Sequence, residues 1–222
     1  MRVCSQIRML NALLDSGAVS KLPTPFGCLL IDFPGALAYY APKLHQEYSN
    51  KLGQLVDRDP SLLWNFNNSI YPTATVNFGP SAVCYDHLDF GNRAAGWCDI
   101  TAAGPYDYKK GGHLILFDID KVIEFPPGSH ILIPSAVMRH GNTPIQSHER
   151  RMGLTQYAAG ALFRWVDNGF QKAEDVRGML KERLDAEAPT RFEQQLDLYS
   201  KLEELSEDRI RVFGRSGSVD EG

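Results

Sequence analysis

Two side chains of types that commonly bind metal ions, His87 and Asp89, lie two residues apart in the segment CYDHLDFGN, residues 84–92. The short apolar run and the turn residues around them predict a β-strand over 83–89. Residues i and i+2 of a strand point to the same face of a sheet. This imidazole and this carboxylate could therefore chelate one divalent metal ion.

A histidine and an acid at this spacing are not specific by themselves, and the chain contains a second such pair, His45 and Glu47. That pair falls on a predicted helix, in which residues two apart do not face each other. The pair at His87 and Asp89 could also be a surface turn with a local ion pair. A third ligand is needed to decide between these two interpretations.

The segment PPGSHILIPSAVMRHGNTPI, residues 126–145, reads as a turn, an apolar strand, a loop and then His140. We take His140 as the third ligand and His148, which lies among charged residues in a predicted loop, as the second choice. His113 and His130 open apolar strands, a position more typical of structural histidines. With His140, the site would hold two imidazoles and one carboxylate and leave other coordination positions open. That ligand set is typical of non-haem Fe(II) oxygenases.

An acidic co-substrate would need a basic partner, and Arg150 and Arg151 begin the predicted strand 151–158. An arginine fork binds a carboxylate through two hydrogen bonds, and a desolvated arginine requires such a partner. Neighbours on a strand face opposite ways, so one of the two can point inward, and a small, polar face favours Arg151. The alternative is that both arginines are exposed. The residues that share a face with Arg151 are Gly153, Thr155 and Tyr157.

The order of these residues, H-x-D, a distal His and then an Arg on the last strand, resembles the 2-oxoglutarate/Fe(II)-dependent dioxygenase superfamily over about residues 70–160. The resemblance implies a double-stranded β-helix, or jelly roll, with iron at one mouth. It also implies that 2-oxoglutarate chelates Fe(II) and that its distal carboxylate pairs with Arg151. Dioxygen would take the remaining position, and the products would be succinate, carbon dioxide and an organic substrate hydroxylated at a C–H bond.

A narrower likeness is to the TET/JBP nucleobase-modifying branch, including its fungal members, whose metal motif runs H-x-D-x-x-N-x-x-x-G and is matched here through Asn92 and Gly96. The final strand of that branch is similar to the segment from Arg151 to Tyr157. The likeness implies that Asn92 and Tyr157 face the substrate and that Tyr157 stacks on a base. Ala159 stands where mammalian members have a base-contacting His, so the substrate ranges from 5-methylcytosine to a nucleoside, an amino acid or a secondary metabolite.

Asn77 lies upstream of the metal motif, at a place similar to that of the co-substrate-binding Asn of AlkB-type relatives. The alternative is an Asn that ends a strand before the turn at Gly79 and Pro80. For the second shell of the histidines, Asn142 and Asp86 are candidates. The Gly-bounded loop 104–112 could act as a lid or be an ordinary connection. Four aromatic residues could shape the substrate mouth or simply pack, namely Tyr85, Trp97, Tyr106 and Tyr108.

The elements that position these residues predict an α+β protein, with a jelly-roll core over about 70–160 flanked by helical supports at 34–57 and 171–206. We expect one oxygenase domain over 1–213, with these helices buttressing the sheet, and a flexible tail over 214–222. The motif T-x-x-E that begins at Thr190 predicts a capping box. The strands are predicted at 26–33, 72–78, 83–89, 96–101, 113–119, 130–134 and 151–158.

Composition narrows the function classes. The 222-residue chain has a net charge of −4 and a pI of about 5.9, so charge gives no support to a nucleic-acid partner and leaves one open. The four cysteines lack the spacing of a zinc site or a disulfide scaffold, which indicates reduced thiols in a reducing compartment. No apolar run approaches the roughly 20 residues of a membrane span, so we expect an intracellular protein of the cytoplasm or nucleus, without membrane association. A cupin-like metalloprotein and a non-catalytic binding module are the alternatives to an oxygenase.

Overall fold

The structure is a computed structural model that describes residues 34–62, 64, 66 and 69–214. Helices at both ends of this part of the chain enclose two antiparallel sheets, so the predicted α+β class is confirmed. The predicted strand 26–33 and residues 215–222 of the predicted tail lie outside the described residues.

The apolar residues that recur every three or four positions at the start form two helices, α1 (Pro34–Tyr40) and α2 (Pro42–Arg58). One helix was expected over 34–57, but Ala41 interrupts it with an extended φ of −141°. A proline disfavours helical backbone at the residue before it, whereas its own missing N–H is tolerated in the first turn of a helix. Pro42 therefore ends α1 and begins α2. The buried side chains of α2 include Leu44, Tyr48 and Leu52.

Within the described residues, seven strands form the two sheets, and all their pairings are antiparallel. The first sheet has the order β1-β7-β2-β5 and the second the order β4-β3-β6. The strands are β1 (Thr73–Asn77), β2 (Cys98–Ala103), β3 (Leu114–Leu116), β4 (Lys121–Ile123), β5 (His130–Ile133), β6 (His140–Asn142) and β7 (Met152–Tyr157).

Alternation along the strands gives the first sheet two buried faces. Side chains such as Cys98 and Ala102 of β2 pack with Leu114 and Leu116 of β3, so this face meets the second sheet. A separate cluster unites α1 and α2 with the helix α3 (Gly160–Asp167), which follows β7 directly. The helices thus cover one part of the core, and the paired sheets enclose another part.

The predicted strand over 83–89 is wrong. The segment forms one isolated bridge, His87 with His140, and a second bridge, Ser81 with Arg151, lies just before it. In a regular register, the N–H of Asn142 would donate to the carbonyl of Tyr85, but it donates to that of Cys84 at 2.8 Å. The segment therefore has one extra residue opposite β6, and such a bulge breaks the ladder.

The predicted strand 113–119 is shorter than expected. It ends at Leu116, and a 3₁₀ turn over Phe117–Ile119 leads to Asp120, whose φ is +51°. That left-handed residue reverses the chain into β4. Sequence periodicity gave no indication of this reversal because Asp118, Ile119 and Asp120 alternate between polar and apolar, as the end of a strand can.

The prediction that the C-terminal helices buttress the sheet is wrong for α4 (Gly178–Glu187) and α5 (Arg191–Leu196). Met179 and Phe192, expected on their buried faces, are 85% and 69% exposed. The predicted capping box is also wrong, because the hydroxyl of Thr190 donates to the carbonyl of Glu187 instead of capping α5. Of the C-terminal helices in the described residues, the one that packs on α2 is α6 (Leu205–Phe213).

Candidate metal centre and its cavity

A cavity of about 480 Å³ opens between the two sheets. Strands β1, β2 and β7 line one side of it, β3 and β6 line the other, and the segment from Ala82 to Asn92 crosses its mouth. The residues named from the sequence as metal, co-substrate and substrate contacts all line this one cavity. They are His87, Asp89, His140, Arg151, Asn77, Asn92 and Tyr157.

The structure brings His87, Asp89 and His140 together, with one potential ligand atom of each within 4.8 Å of the others. The Nε2 atom of His87 lies 3.6 Å from Oδ1 of Asp89, and Nε2 of His140 lies 3.9 Å from Oδ2 of the same carboxylate. Among the described residues, this is the one group of three or more His, Cys, Asp or Glu side chains with such spacing. Two imidazoles and a carboxylate are a suitable donor set for a divalent transition metal.

Backbone carbonyls orient both imidazoles. The Nδ1 atom of His87 lies 2.7 Å from the carbonyl of Tyr85, and that of His140 lies 2.9 Å from the carbonyl of Met138. In each case the carbonyl belongs to the residue two positions before. An Nδ1–H donated to a carbonyl leaves Nε2 without a proton and free to bind a metal ion.

The second-shell roles considered for Asn142 and Asp86 are therefore wrong. The amide of Asn142 holds the backbone of the mouth segment, accepting from the N–H of Cys84 at 2.8 Å and donating to the carbonyl of Ala82 at 3.1 Å. The carboxylate of Asp86 pairs with Arg139. The sequence interpretation did not foresee the bulge in the mouth segment. The bulge leaves backbone groups of Ala82 and Cys84 without strand partners, and the amide of Asn142 binds them instead.

Burial lowers the pKa of His140, and the nearby imidazole of His87 lowers it further, against the raising effects of the carbonyl of Met138 and of Asp89. Desolvation penalises the imidazolium form because the ring is 4% exposed. His140 is therefore neutral near neutral pH, which is the form that binds a metal ion.

The carboxylate of Asp89 is fixed by contacts that the sequence did not indicate. Its backbone N–H donates to the carbonyl of Ser135 at 3.0 Å. The side-chain amide of Asn92 donates to Oδ2 of Asp89 at 3.3 Å and to the hydroxyl of Ser135 at 3.0 Å. Ser135 is 1% exposed and had no role in the sequence interpretation.

Arg151 is 5% exposed and lies at the inner end of the cavity, whereas Arg150 is exposed. One terminal nitrogen of Arg151 donates to the carbonyl of Ala82 at 3.0 Å, and its Nε is buried without a partner in the described part of the chain. Its guanidinium carbon lies 5.9 Å from the ring centre of Tyr106. Within residues 34–62, 64, 66 and 69–214, Arg151 makes no ion pair, so this cation lacks a counter-charge there.

The remaining predicted contacts also lie at the cavity. Asn77 ends β1, and its side-chain oxygen accepts the N–H of Gly79 at 3.1 Å, as the turn interpretation expected. The hydroxyl of Tyr157 lies 3.4 Å from that of Thr75. Ala159 lines the same side of the cavity as Asn92, with which it forms an isolated bridge.

Of the aromatic residues considered for the substrate mouth, Tyr85 lies at the surface and is 86% exposed. Tyr106 is buried beneath Arg151 and donates its hydroxyl to the carbonyl of Phe125. Trp97 stacks on Tyr199 with ring centres 5.8 Å apart. Loop 104–112 is held by a hydrogen bond of 2.8 Å from the N–H of Asp107 to Glu149, which favours an ordinary connection over a lid.

A second polar cluster lies on the opposite face of the first sheet. Asp99 is 1% exposed, and its carboxylate forms no hydrogen bond among the described residues. Burial raises the pKa of Asp99 to about 7. Its Oδ1 lies 3.5 Å from Nδ1 of His130, which places that histidine outside the metal group, as the sequence interpretation expected for a structural residue.

Two further observations concern cellular setting. Cys84 and Cys98 are free thiols, and Cys4 and Cys28 lie outside the described residues. Among the described helices, none is both long and apolar enough to cross a membrane.

Comparison with known proteins gives a sparse result. No protein-family model matches the chain, and no curated protein sequence matches it. One similar solved structure is NgTET1 in complex with 5mC DNA, at 19% identity and a TM-score of 0.37, over 55% of this chain and 50% of that one. Another is the viral collagen prolyl hydroxylase vCPH from Paramecium Bursaria Chlorella virus-1 in its 2OG complex. That likeness has 12% identity and a TM-score of 0.29, over 50% of this chain and 70% of that one. The chain thus spans about half the length of NgTET1.

Proposed function

We propose that this chain is an Fe(II)- and 2-oxoglutarate-dependent dioxygenase that hydroxylates a C–H bond of an organic substrate. The observation that carries the proposal is the combination, in one cavity, of the His87–Asp89–His140 group with the buried guanidinium of Arg151, which makes no ion pair among the described residues. A metal ligand set alone suits several classes of protein. A metal ligand set beside a buried cation suits an oxygenase whose co-substrate is a dicarboxylate.

The three ligand residues fit Fe(II) in donor type. His87 and His140 would each offer Nε2, because their Nδ1 atoms face backbone carbonyls. Asp89 would offer a carboxylate oxygen. When bound, Fe(II) together with 2-oxoglutarate and dioxygen supplies the oxidising chemistry, and the protein supplies position and a dry cavity.

Arg151 would bind the distal carboxylate of 2-oxoglutarate. An unpaired charge buried in a protein is costly, and a carboxylate that forms two hydrogen bonds with a guanidinium offsets that cost. The Nε of Arg151, which has no partner among the described residues, and the terminal nitrogen that does not donate to Ala82 are the donors for such a fork. Asn77 would add an amide at the same side of the cavity through its Nδ2, since its oxygen serves the turn.

The substrate would enter from the mouth, where Tyr157 and the 83% exposed ring of Phe90 line the cavity. Tyr157 offers a face on which a planar group can stack. We propose 5-methylcytosine in DNA as the first substrate to test, and free nucleosides and other small molecules as the second. The net charge of −4 favours a small molecule or a flipped base over tight duplex binding.

We also propose that the two sheets are the halves of a double-stranded β-helix and that sheets and helices form one oxygenase domain. The shared apolar cluster between the sheets supports this arrangement. The position of the cavity at one mouth of the paired sheets supports it as well.

Succinate formation tests the proposal. Purified protein would be incubated with Fe(II), ascorbate and 2-oxoglutarate, with and without DNA that contains 5-methylcytosine, and with free 5-methylcytidine in a separate arm. The variant His140→Ala removes a proposed ligand. Its matched control is His148→Ala, which removes an exposed histidine outside the metal group.

We expect succinate from the wild type and from His148→Ala, and none above background from His140→Ala. A rise in succinate with one substrate arm would identify the substrate class. Metal uptake without any 2-oxoglutarate turnover, in every arm, would refute the oxygenase and leave a non-catalytic metal-binding module.

A further inference from the structure

We propose that Asn92 is a positioning residue for the metal-binding carboxylate of Asp89, and that Ser135 anchors it. This inference rests on the proposed function, because it concerns the same metal site. It replaces the substrate-contact role that the sequence resemblance implied for Asn92.

The geometry of the amide carries the inference. The Nδ2 group of Asn92 has two hydrogens, and the structure provides two acceptors for them. One acceptor is Oδ2 of Asp89 at 3.3 Å, and the other is the hydroxyl of Ser135 at 3.0 Å. The donor group of Asn92 is therefore fully engaged inside the protein, so a substrate could meet only its carbonyl oxygen.

The same three residues are also joined through their backbones. The N–H of Asn92 donates to the carbonyl of Asp89 at 2.9 Å, which closes a turn after the ligand. The N–H of Asp89 donates to the carbonyl of Ser135 at 3.0 Å. The turn that carries Asp89 is thereby tied, at both its backbone and its side-chain level, to the loop that precedes His140.

This arrangement fixes the rotation of the carboxylate. Oδ1 of Asp89 faces His87 and Oδ2 faces His140, at 3.6 Å and 3.9 Å from the two Nε2 atoms. Without the amide, the carboxylate is free to rotate about its Cβ–Cγ bond and to turn toward solvent, since the side chain is 30% exposed. Second-shell partners that hold a ligand typically contribute 10- to 100-fold in metal affinity.

Ser135 is suited to be the anchor because it is buried and its position is set independently. It is 1% exposed, and its backbone N–H donates to the carbonyl of Ile133 at 2.9 Å. Ser135 therefore holds Asn92 from the inside, and Asn92 holds Asp89 from the side of the cavity.

The test is a titration with Co(II), which needs no turnover, followed by the visible absorption of the bound ion. It compares the wild type with Asn92→Ala, Ser135→Ala and Thr75→Val. Thr75 is the matched control, because it lines the same cavity and has no contact with Asp89. His140→Ala identifies the site, and thermal unfolding without metal checks that each variant is folded.

We expect the dissociation constant for Co(II) to rise about 10- to 100-fold in Asn92→Ala, with a shift of the absorption bands. Ser135→Ala should give a smaller rise, because it keeps the bond between Asn92 and Asp89. Thr75→Val should match the wild type. If Asn92→Ala is unfolded, a raised dissociation constant for Co(II) in folded Ser135→Ala supports the positioning role, and an unchanged one refutes it.

Two outcomes would overturn the proposal, and they are distinguishable. Unchanged Co(II) affinity and an unchanged spectrum in folded Asn92→Ala and in Ser135→Ala would refute the positioning role of Asn92 but not the metal site. A raised KM for substrate in Asn92→Ala would then restore the role of Asn92 in substrate binding. A wild type that binds Co(II) no better than His140→Ala would refute the metal site itself, and with it the proposed function.

Discussion

The backbones of His87 and His140 form an isolated antiparallel bridge, in which each N–H donates to the carbonyl of the other residue at 3.1 Å. The bridge brings their rings to 4.3 Å between centres. Two segments far apart in the chain are thereby joined at the point where both offer a metal ligand. The closeness of the two backbones, more than the spacing within either segment, determines whether the ligands meet.

Gly141 permits this approach. A Cβ atom at this position would lie 2.9 Å from the carbonyl oxygen of Cys84 and 3.1 Å from that of Tyr85. Gly141→Ala should push the mouth segment away from β6 and raise the dissociation constant for Co(II) by about tenfold or more. The control is Gly91→Ala, at a glycine that lines the same cavity and has open space around it. Equal Co(II) affinity in the two variants would show that the close approach does not matter for the ligands.

Gly96, the last residue of the metal motif, has a packing role rather than a contact with the cavity. A Cβ atom there would lie 2.2 Å from the hydroxyl of Tyr48 and 2.8 Å from Cβ of Arg93. Gly96→Ala should lower the free energy of unfolding by about 1–3 kcal/mol, the usual cost of overpacking, as measured by urea denaturation.

The matched control for that change is Gly53→Ala, within the helix α2 and with no atom near its Cβ position. Alanine is the better helix former, so this variant should gain up to about 1 kcal/mol. Co(II) affinity should remain unchanged in both variants. Equal stability of Gly96→Ala and the wild type would contradict the packing role.

The helices and the longer strands could be predicted because their patterns are local. The structure has β1 at Thr73–Asn77, β5 at His130–Ile133 and β7 at Met152–Tyr157, each within two residues of its predicted bounds. Burial on one or both faces imposes the periodicity that the sequence displays.

The predictions that were wrong concern elements whose structure depends on contacts between distant segments. Whether 83–89 forms a strand depends on its register against β6, and β6 is only His140–Asn142, too short for a periodic pattern. The exposed apolar residues of α4 and α5 have the spacing of a buried face, but burial depends on what packs there.

The residues of the candidate site also fall into those that local patterns predict and those that depend on contacts between distant segments. Residue type and spacing were enough to select His87, Asp89 and His140, which the structure brings together. The contacts of Ser135 and Asn92 depend on how two loops fold against each other, so no pattern in either segment indicates them.

Asp99 makes stability depend on pH. Its pKa is raised by burial from 3.8 to about 7, so the folded state retains a proton that the unfolded state has lost between these values. Stability should therefore fall as pH rises through this range and level off above it. Asp99→Asn removes this effect, and its stability relative to the wild type should increase from pH 5 to pH 8, by an amount on the order of a few kcal/mol.

Urea denaturation at several pH values checks this prediction. The pKa of His130 is lowered by burial, so its own contribution to stability rises with pH, opposite in sign to that of Asp99. Parallel stability curves for Asp99→Asn and the wild type would show that Asp99 is already ionised in the folded protein at low pH.

The proposed function requires that the metal group and Arg151 bind one ligand together. The most direct measurement is the binding of 2-oxoglutarate under anaerobic conditions, with and without Fe(II), by the wild type, Arg151→Ala and Arg150→Ala. We expect Fe(II) to strengthen binding by the wild type and by Arg150→Ala, and Arg151→Ala to bind at least tenfold more weakly, since it loses a charge-assisted fork. If Fe(II) does not change the affinity for 2-oxoglutarate, or if the two arginine variants bind it equally well, the proposed function is contradicted.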